Sequence, residues 1–306
     1  MQFTRRHRAA ILATTAVAVA TSVSATLLDE GSPSGRVSTV SAAGDRATGV
    51  PIPDMPDSGK RGIAPGEPDP AGGDAAAAAG YPTAAKRYKW GKPIARDEFT
   101  GKRLNLRDWS PENDPRSEHG IRTPRAITVG KGVMKITGRQ NRTTGAVGWR
   151  RGARKYGRWE ARVKLNRACA CYNANLLLWP ATGKPWDGGG EVDWMETYGD
   201  DGMRKGTSFY LHYGKGQQPT TIARRVKTDL TKWHTFAIQW NSRSITGYID
   251  GKVWFYTNKR QALPPRAMGQ SIQLDYFANL RPRTARGVKR WFPATLEVDW
   301  IRLYRP

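Results

Sequence analysis

The chain has 306 residues, with 33 glycines, 20 prolines, 12 tryptophans and two cysteines. This length holds one domain of about 200 residues with a full core plus further segments, and so few cysteines exclude a fold held together by disulfides. The formal net charge is +24, and the first 86 residues hold 8 basic and 8 acidic groups, so the whole excess falls on residues 87–306. Such a surface favours anionic partners such as nucleic acid, an acidic polysaccharide or a bacterial wall, or else it is a solvated basic surface with no dedicated partner.

Residues 1–25 read as a signal peptide. Arg5, Arg6, His7 and Arg8 form the basic region, Ala9 to Ala20 the apolar one, and Val23-Ser24-Ala25 suits cleavage. Thr4-Arg5-Arg6 hints at twin-arginine export. The apolar stretch falls short of the roughly 20 residues a membrane span needs. No later stretch is apolar enough to span a bilayer, so the sequence predicts a soluble, secreted, extracellular protein. Residues 26–86 are dominated by Ser, Gly, Pro, Asp and Ala and read as a disordered linker. Aromatic residues begin at Tyr88 and Trp90, which places the domain boundary near residue 87 and a folded domain over 87–306.

Within that domain short alternating strands are broken by turn residues. Val133-Met134-Lys135-Ile136 follows Gly130-Lys131-Gly132, and Arg158 to Leu165 alternates after Gly157. Phe236 to Trp240 leads to Ile245–Ile249, an Asp250-Gly251 turn and Lys252 to Tyr256; the last pair predicts a hairpin with a type I′ turn. Leu296 to Tyr304 closes the series. The pattern contains no long amphipathic helix and predicts an all-β sandwich.

The chemistry concentrates in Gly188-Gly189-Gly190-Glu191-Val192-Asp193-Trp194-Met195-Glu196. Side chains alternate along a strand, so Glu191 and Asp193 share one face while Val192 and Trp194 share an apolar one. Strict alternation would bury Glu196 among the apolar residues, which is costly for an unpaired carboxylate. A one-residue β-bulge near Trp194-Met195 returns Glu196 to the open face. Four effective steps then separate the two glutamate Cα atoms by about 13 Å at roughly 3.3 Å per residue. Side chains leaning together can close this to the roughly 5–5.5 Å of a retaining glycosidase pair. One glutamate would attack an anomeric carbon, and the other would protonate the leaving oxygen and then activate water. Asp193 between them would favour the protonated form of a nearby carboxyl. The tetrapeptide Glu-Val-Asp-Trp recurs at 297–300, with Arg302 where the first copy has Glu196. By itself it is only a strand with one polar face.

With those residues in place, the chain over 96–306 resembles the family 16 glycoside hydrolases, in the bulged-motif group of laminarinases, agarases and κ-carrageenases. Glu191, Asp193 and Glu196 match E-(I/L/V)-D-x-x-E. Asp97-Glu98-Phe99, Tyr156 to Arg162, Trp186, Leu211-His212-Tyr213-Gly214, Trp233 to Ala237 and Val298 to Tyr304 match further ordered blocks. The resemblance implies a β-jelly-roll sandwich of two antiparallel sheets with a concave glycan-binding cleft. It implies endo-acting retaining hydrolysis of a polysaccharide, a β-glucan first and an anionic galactan second. Glu191 is then the nucleophile, Glu196 the acid/base and Asp193 the assisting carboxylate. Trp186, His212 and Trp179 are candidate substrate contacts, as are Gln273 and Asp275, which alternate with Ile272, Leu274 and Tyr276. Core packing is the alternative for Trp186, a structural role for His212, and simple surface exposure for Gln273 and Asp275. Where laminarinases carry a W-P-A-x-W block, Tyr172 and Leu176 stand at the expected tryptophan positions.

No cofactor is required for this chemistry. The resemblance also implies a structural calcium, for which Glu98 and Asp299 are the candidate carboxylates. A basic surface that includes Arg281, Arg283, Arg286, Lys289 and Arg290 suits an anionic glycan or cell wall. The domain has no recognisable nucleic-acid motif and no membrane span. A non-catalytic lectin on the same sandwich and a transglycosylase with the same residues are the alternatives. Cys169-Ala170-Cys171 would place two Cα atoms about 6.6 Å apart in a strand, near the limit for a disulfide, so a bond there requires a turn.

Overall fold

The computed structural model describes residues 82–216, 219–278 and 292–306. The expected signal peptide, residues 26–81 of the expected linker and the basic run from Arg281 to Arg290 lie outside the described residues. Among the described residues no helix is long and apolar enough to cross a membrane.

Among the described residues sixteen strands form in chain order: β1 (Ala95–Asp97), β2 (Trp109–Pro111), β3 (Ile121–Arg122), β4 (Ile127–Gly130), β5 (Val133–Gly138), β6 (Thr143–Arg154), β7 (Gly157–Leu165), β8 (Tyr172–Pro180), β9 (Glu191–Glu196), β10 (Gly206–Tyr213), β11 (Thr220–Lys227), β12 (His234–Trp240), β13 (Ile245–Ile249), β14 (Lys252–Thr257), β15 (Met268–Tyr276) and β16 (Ala294–Tyr304). They make two 8-stranded sheets. The outer sheet runs β14-β13-β12-β7-β16-β5-β4, with β1 added to β16; the groove sheet runs β11-β10-β9-β8-β15-β6-β2, with β3 added to β6. All pairings are antiparallel except β3 with β6.

Alternation decides which side chains fill the space between the sheets. On β7, Trp159, Ala161, Val163 and Leu165 are buried in the core, while Arg158, Glu160, Arg162 and Lys164 point outward. Trp109, Trp159, Trp194 and Trp240 are among the largest fully buried side chains, and burying such a side chain contributes roughly 1.5–3 kcal/mol. The hairpin of β13 and β14 turns at Asp250 (φ 48) and Gly251 (φ 70), the two positive φ values of the turn its sequence predicts. The Cys169–Cys171 disulfide forms on a turn before β8, with Cα atoms 5.1 Å apart.

The folded part begins before residue 87. A short helix, α1 (Ala84–Arg87), packs on the outer face of the outer sheet. Ala84, Trp90, Ala237, Tyr248 and Tyr304 form a second apolar cluster there. The amides of Ala84 and Ala85 donate to Glu160 Oε1 at 2.6 and 3.3 Å. The Ala-rich composition that reads as linker thus supplies a residue small enough to lie flat on aromatic rings.

Candidate active site

The groove is built from β9 outward. Gly188 and Gly190 precede it with φ of 84° and 73°, and a Cβ on Gly190 would lie 2.9 Å from the His212 carbonyl oxygen. Only glycine allows that approach at that φ, and it lets β9 pair with β10 from its first residue, Glu191 opposite His212. The bulge lies at Trp194-Met195. On β10, Ser208 faces Glu196 and Tyr210 faces Asp193, so Phe209 alone spans two residues. On β8, Leu176 faces Met195 and Leu177 faces Asp193. Trp194 and Met195 are both fully buried in the core. Glu191, Asp193 and Glu196 consequently share the groove face.

Each carboxylate has a distinct setting. Asp193 is 1% exposed. Its Oδ1 accepts from Asn175 Nδ2 at 2.7 Å, and its Oδ2 lies 3.4 Å from His212 Nε2. The other ring nitrogen of His212, Nδ1, is 2.8 Å from Thr221 Oγ1. Glu196 Oε1 accepts from Asn173 Nδ2 at 2.7 Å. Burial, then Asp193, then Glu196 push the Glu191 carboxyl well above the ordinary range. Burial and then Asp193 do the same to Glu196, while the Asn173 hydrogen bond pulls the other way. Like charges held this close in a desolvated groove contest protons, so the ionisation of Glu196 bears on that of Glu191.

Trp186 is half-buried, its ring edge-on to His212 at 6.3 Å and 84°, and Tyr210 stacks on His212 at 6.0 Å. These rings line the Glu191 end. Trp179 lies at the far end of β8, paired through its backbone with Gly269, on the same parity as Asn173 and Asn175. Gln273 and Asp275 on β15 face Asn175 and Asn173 across the ladder. They are not simply exposed: Arg122 donates to Asp275 at 2.7 Å, to Gln273 at 3.1 Å and to Glu112 at 2.6 Å.

Several residues of the groove are not apparent from the motif. Asn173 and Asn175 alternate within an otherwise apolar strand, a signal that two polar side chains share one face. Arg122 joins β15 from 153 residues away, a partnership no local spacing reveals. At the Glu196 end, Tyr198 meets Phe277 at 5.2 Å and His119 meets Phe277 at 4.9 Å.

Tyr172 and Leu176 are fully buried in the core, so neither lines the groove; the groove-facing positions of β8 are 173, 175 and 177. The carboxylates assigned to calcium are already compensated. Glu98 takes two bonds from Arg302, each 2.9 Å, and Asp299 takes one from Arg162 at 2.7 Å. Among the described residues no group of three or more His, Cys, Asp or Glu side chains is placed to hold a metal. A guanidinium on each carboxylate does not fit a divalent cation there.

Two antiparallel sheets enclosing an aromatic core, with three carboxylates and flanking rings on one face, define an all-β sandwich with an acidic groove. Residues 117–302 match the family Glycosyl hydrolases family 16, and the chain belongs to that family. A beta-glucanase from Rhodothermus marinus is 27% identical over 183 residues, 53% of this chain and 60% of that protein. The glucan endo-1,3-beta-glucosidase A1 of Niallia circulans is 26% identical over 175 residues, 49% of this chain and 24% of its own. The chain therefore spans less than two thirds of the length of these relatives. The endo-beta-1,3-glucanase of Pyrococcus furiosus superposes with a TM-score of 0.60 at 20% identity, covering 70% of this chain and 94% of that one. At that identity the superposition shows a shared fold.

Proposed function

We propose that this protein is a secreted, endo-acting, retaining β-glucan hydrolase. The observation that carries the reading is the bulge, which puts three carboxylates on one groove face, where Asn173 donates to Glu196 and Asn175 to Asp193. Glu191 attacks the anomeric carbon as the bond to the leaving oxygen breaks, and Glu196 gives that oxygen its proton. Water, deprotonated by Glu196, then displaces Glu191 from the glycosyl ester. Asp193, fixed by Asn175, stands between the two glutamates on the same face. The rings of Trp186 and Tyr210 offer faces for sugar stacking.

The groove floor favours a neutral glycan. Glu191, Asp193, Glu196 and Asp275 lie along it, and Arg122 is committed to Asp275 and Glu112. A polyanion would meet repulsion there, whatever the sign of the remaining surface. The names of the two sequence relatives, both glucanases, point the same way.

The test is product analysis on a panel of β-glucans and sulfated galactans, with the anomeric configuration of new ends followed by NMR. Retained β-configuration from a neutral glucan, lost in Glu191→Gln, is the expected result. Inverted product, or undiminished cleavage by that variant, overturns the assignment. Glycan binding with no product on any polymer would instead make the protein a lectin.

A further inference from the structure

Behind Glu196 lies a buried polar chain that the reaction as described does not use. Asn173 donates from Nδ2 to Glu196 Oε1 at 2.7 Å. An asparagine amide has a donor end and an acceptor end of nearly equal size, so something must choose which end faces the carboxylate. Thr197 makes the choice. Its Oγ1 accepts from the Ala174 amide at 2.9 Å and from Arg204 Nη1 at 3.4 Å. With those two donors on its oxygen, the hydroxyl proton goes to Asn173 Oδ1, 3.1 Å away. The acceptor end of the amide is thereby engaged, and the NH2 end is left for Glu196.

Arg204 is held in turn. Its side chain is 1% exposed. Nη2 donates to the Tyr172 carbonyl at 3.0 Å, Nε to the Asn166 carbonyl at 3.3 Å, and Nη1 also reaches Asp200 Oδ2 at 3.4 Å. Two of its acceptors, Tyr172 and Asn166, lie at the β7–β8 connection that leads into Asn173. Burying a guanidinium is costly unless it is bonded, and here one of its bonds reaches the hydroxyl that orients the amide while the others hold it in place.

We propose that Thr197 and Arg204 are positioning residues for the reaction, holding the Asn173 amide with its NH2 group on Glu196. This rests on the reading of Glu196 as acid/base. A donated N–H favours the charged carboxylate, and a reversed amide would present an oxygen that only the protonated acid tolerates. The other groups facing Glu196 are Asp193 and Glu191 on its own strand, Asp275 on β15 and Tyr210 on β10. The three carboxylates among them oppose its ionisation, so the amide is their counterweight.

The experiment compares wild type, Thr197→Val, Thr197→Ser and Asn173→Ala. Thr197→Val keeps the shape and removes the proton that reads the amide. The basic limb of kcat against pH should rise on the order of one pH unit in Thr197→Val and Asn173→Ala, and return to the wild-type position in Thr197→Ser. A Thr197→Val enzyme with reduced kcat and an unmoved basic limb overturns the proposal, because that is what a merely structural role predicts. The second readout needs no turnover. In protein labelled with 13C at glutamate carboxyls, the Glu196 resonance, identified by its loss in Glu196→Gln, should titrate higher in Thr197→Val and Asn173→Ala than in wild type. If no polymer is cleaved, the acid/base reading fails while this titration still decides the relay; an unmoved resonance in both variants sinks it. Should Thr197→Val not fold, Asn173→Ala against Thr197→Ser carries the same contrast.

Discussion

The tetrapeptide Glu-Val-Asp-Trp occurs twice, and the two copies have opposite surroundings. At 191–194 it lies on the groove sheet, where the carboxylates face asparagines and one another. At 297–300 it lies on the outer sheet, where both of its carboxylates have a cation. Glu297 meets Lys135 at 2.7 Å and Lys164 at 3.4 Å, and Asp299 meets Arg162 at 2.7 Å. Both copies adjoin a register shift, the second between Val298 and Trp300. A strand with acidic alternation and a bulge is thus not yet a reactive site. Chemistry needs carboxylates whose protons are contested, and neighbouring strands decide that by supplying amides on one sheet and guanidinium or ammonium groups on the other.

The comparison can be broken or sharpened by substitution. The largest effect belongs to the groove copy: Glu191→Gln should lower kcat by on the order of 10⁴-fold with the thermal midpoint nearly unchanged, measured by reducing-end release and a melt. On the outer copy the same kind of change should appear as stability instead. Arg162→Met leaves Asp299 buried without its charge partner and should cost about 3–5 kcal/mol in urea unfolding, with kcat of the folded enzyme retained.

Glu160, also on the outer sheet, sharpens the contrast through pH. Burial raises its carboxyl to about 7, against the pull of the Ala85 and Ala84 amides. A carboxyl raised in the folded state favours folding while protonated, and that contribution is lost as pH rises from the unfolded value through about 7. Glu160→Gln should therefore match wild type near pH 5 and exceed it by about 1–3 kcal/mol near pH 8. The smallest effect is Glu297→Gln. Its partner Lys135 is 42% exposed, so the loss should stay within about 1 kcal/mol, with unaltered activity. A drop in activity comparable to that of Glu191→Gln would erase the distinction between the copies.

Much of this was readable from residues alone, for physical reasons. Period-two burial identified the strands, because each is wet or polar on one side. The bulge was readable because Glu196 has nowhere to go without it. What stayed hidden required partners distant in the chain. Glu98 and Asp299 read as metal ligands because the sequence displays their charge but not the arginines that neutralise it. Asp275 read as a groove contact or as simply exposed, because Arg122 reaches it only after β3 and β15 have joined the same sheet. The linker boundary fell late because alanines look featureless until they meet Trp90 and Tyr248.

The seating of α1 has a practical consequence for how the domain can be attached. The polypeptide joins the sandwich at Pro82, whose carbonyl takes a hydrogen bond from Thr235 at 2.7 Å, on the side away from the groove. Tyr304, at the close of the last strand, lies in the same aromatic cluster. Attachment through the N-terminal side of the domain, whether to a resin, a fused module or a surface, would therefore hold the enzyme from behind and leave its reactive face turned outward.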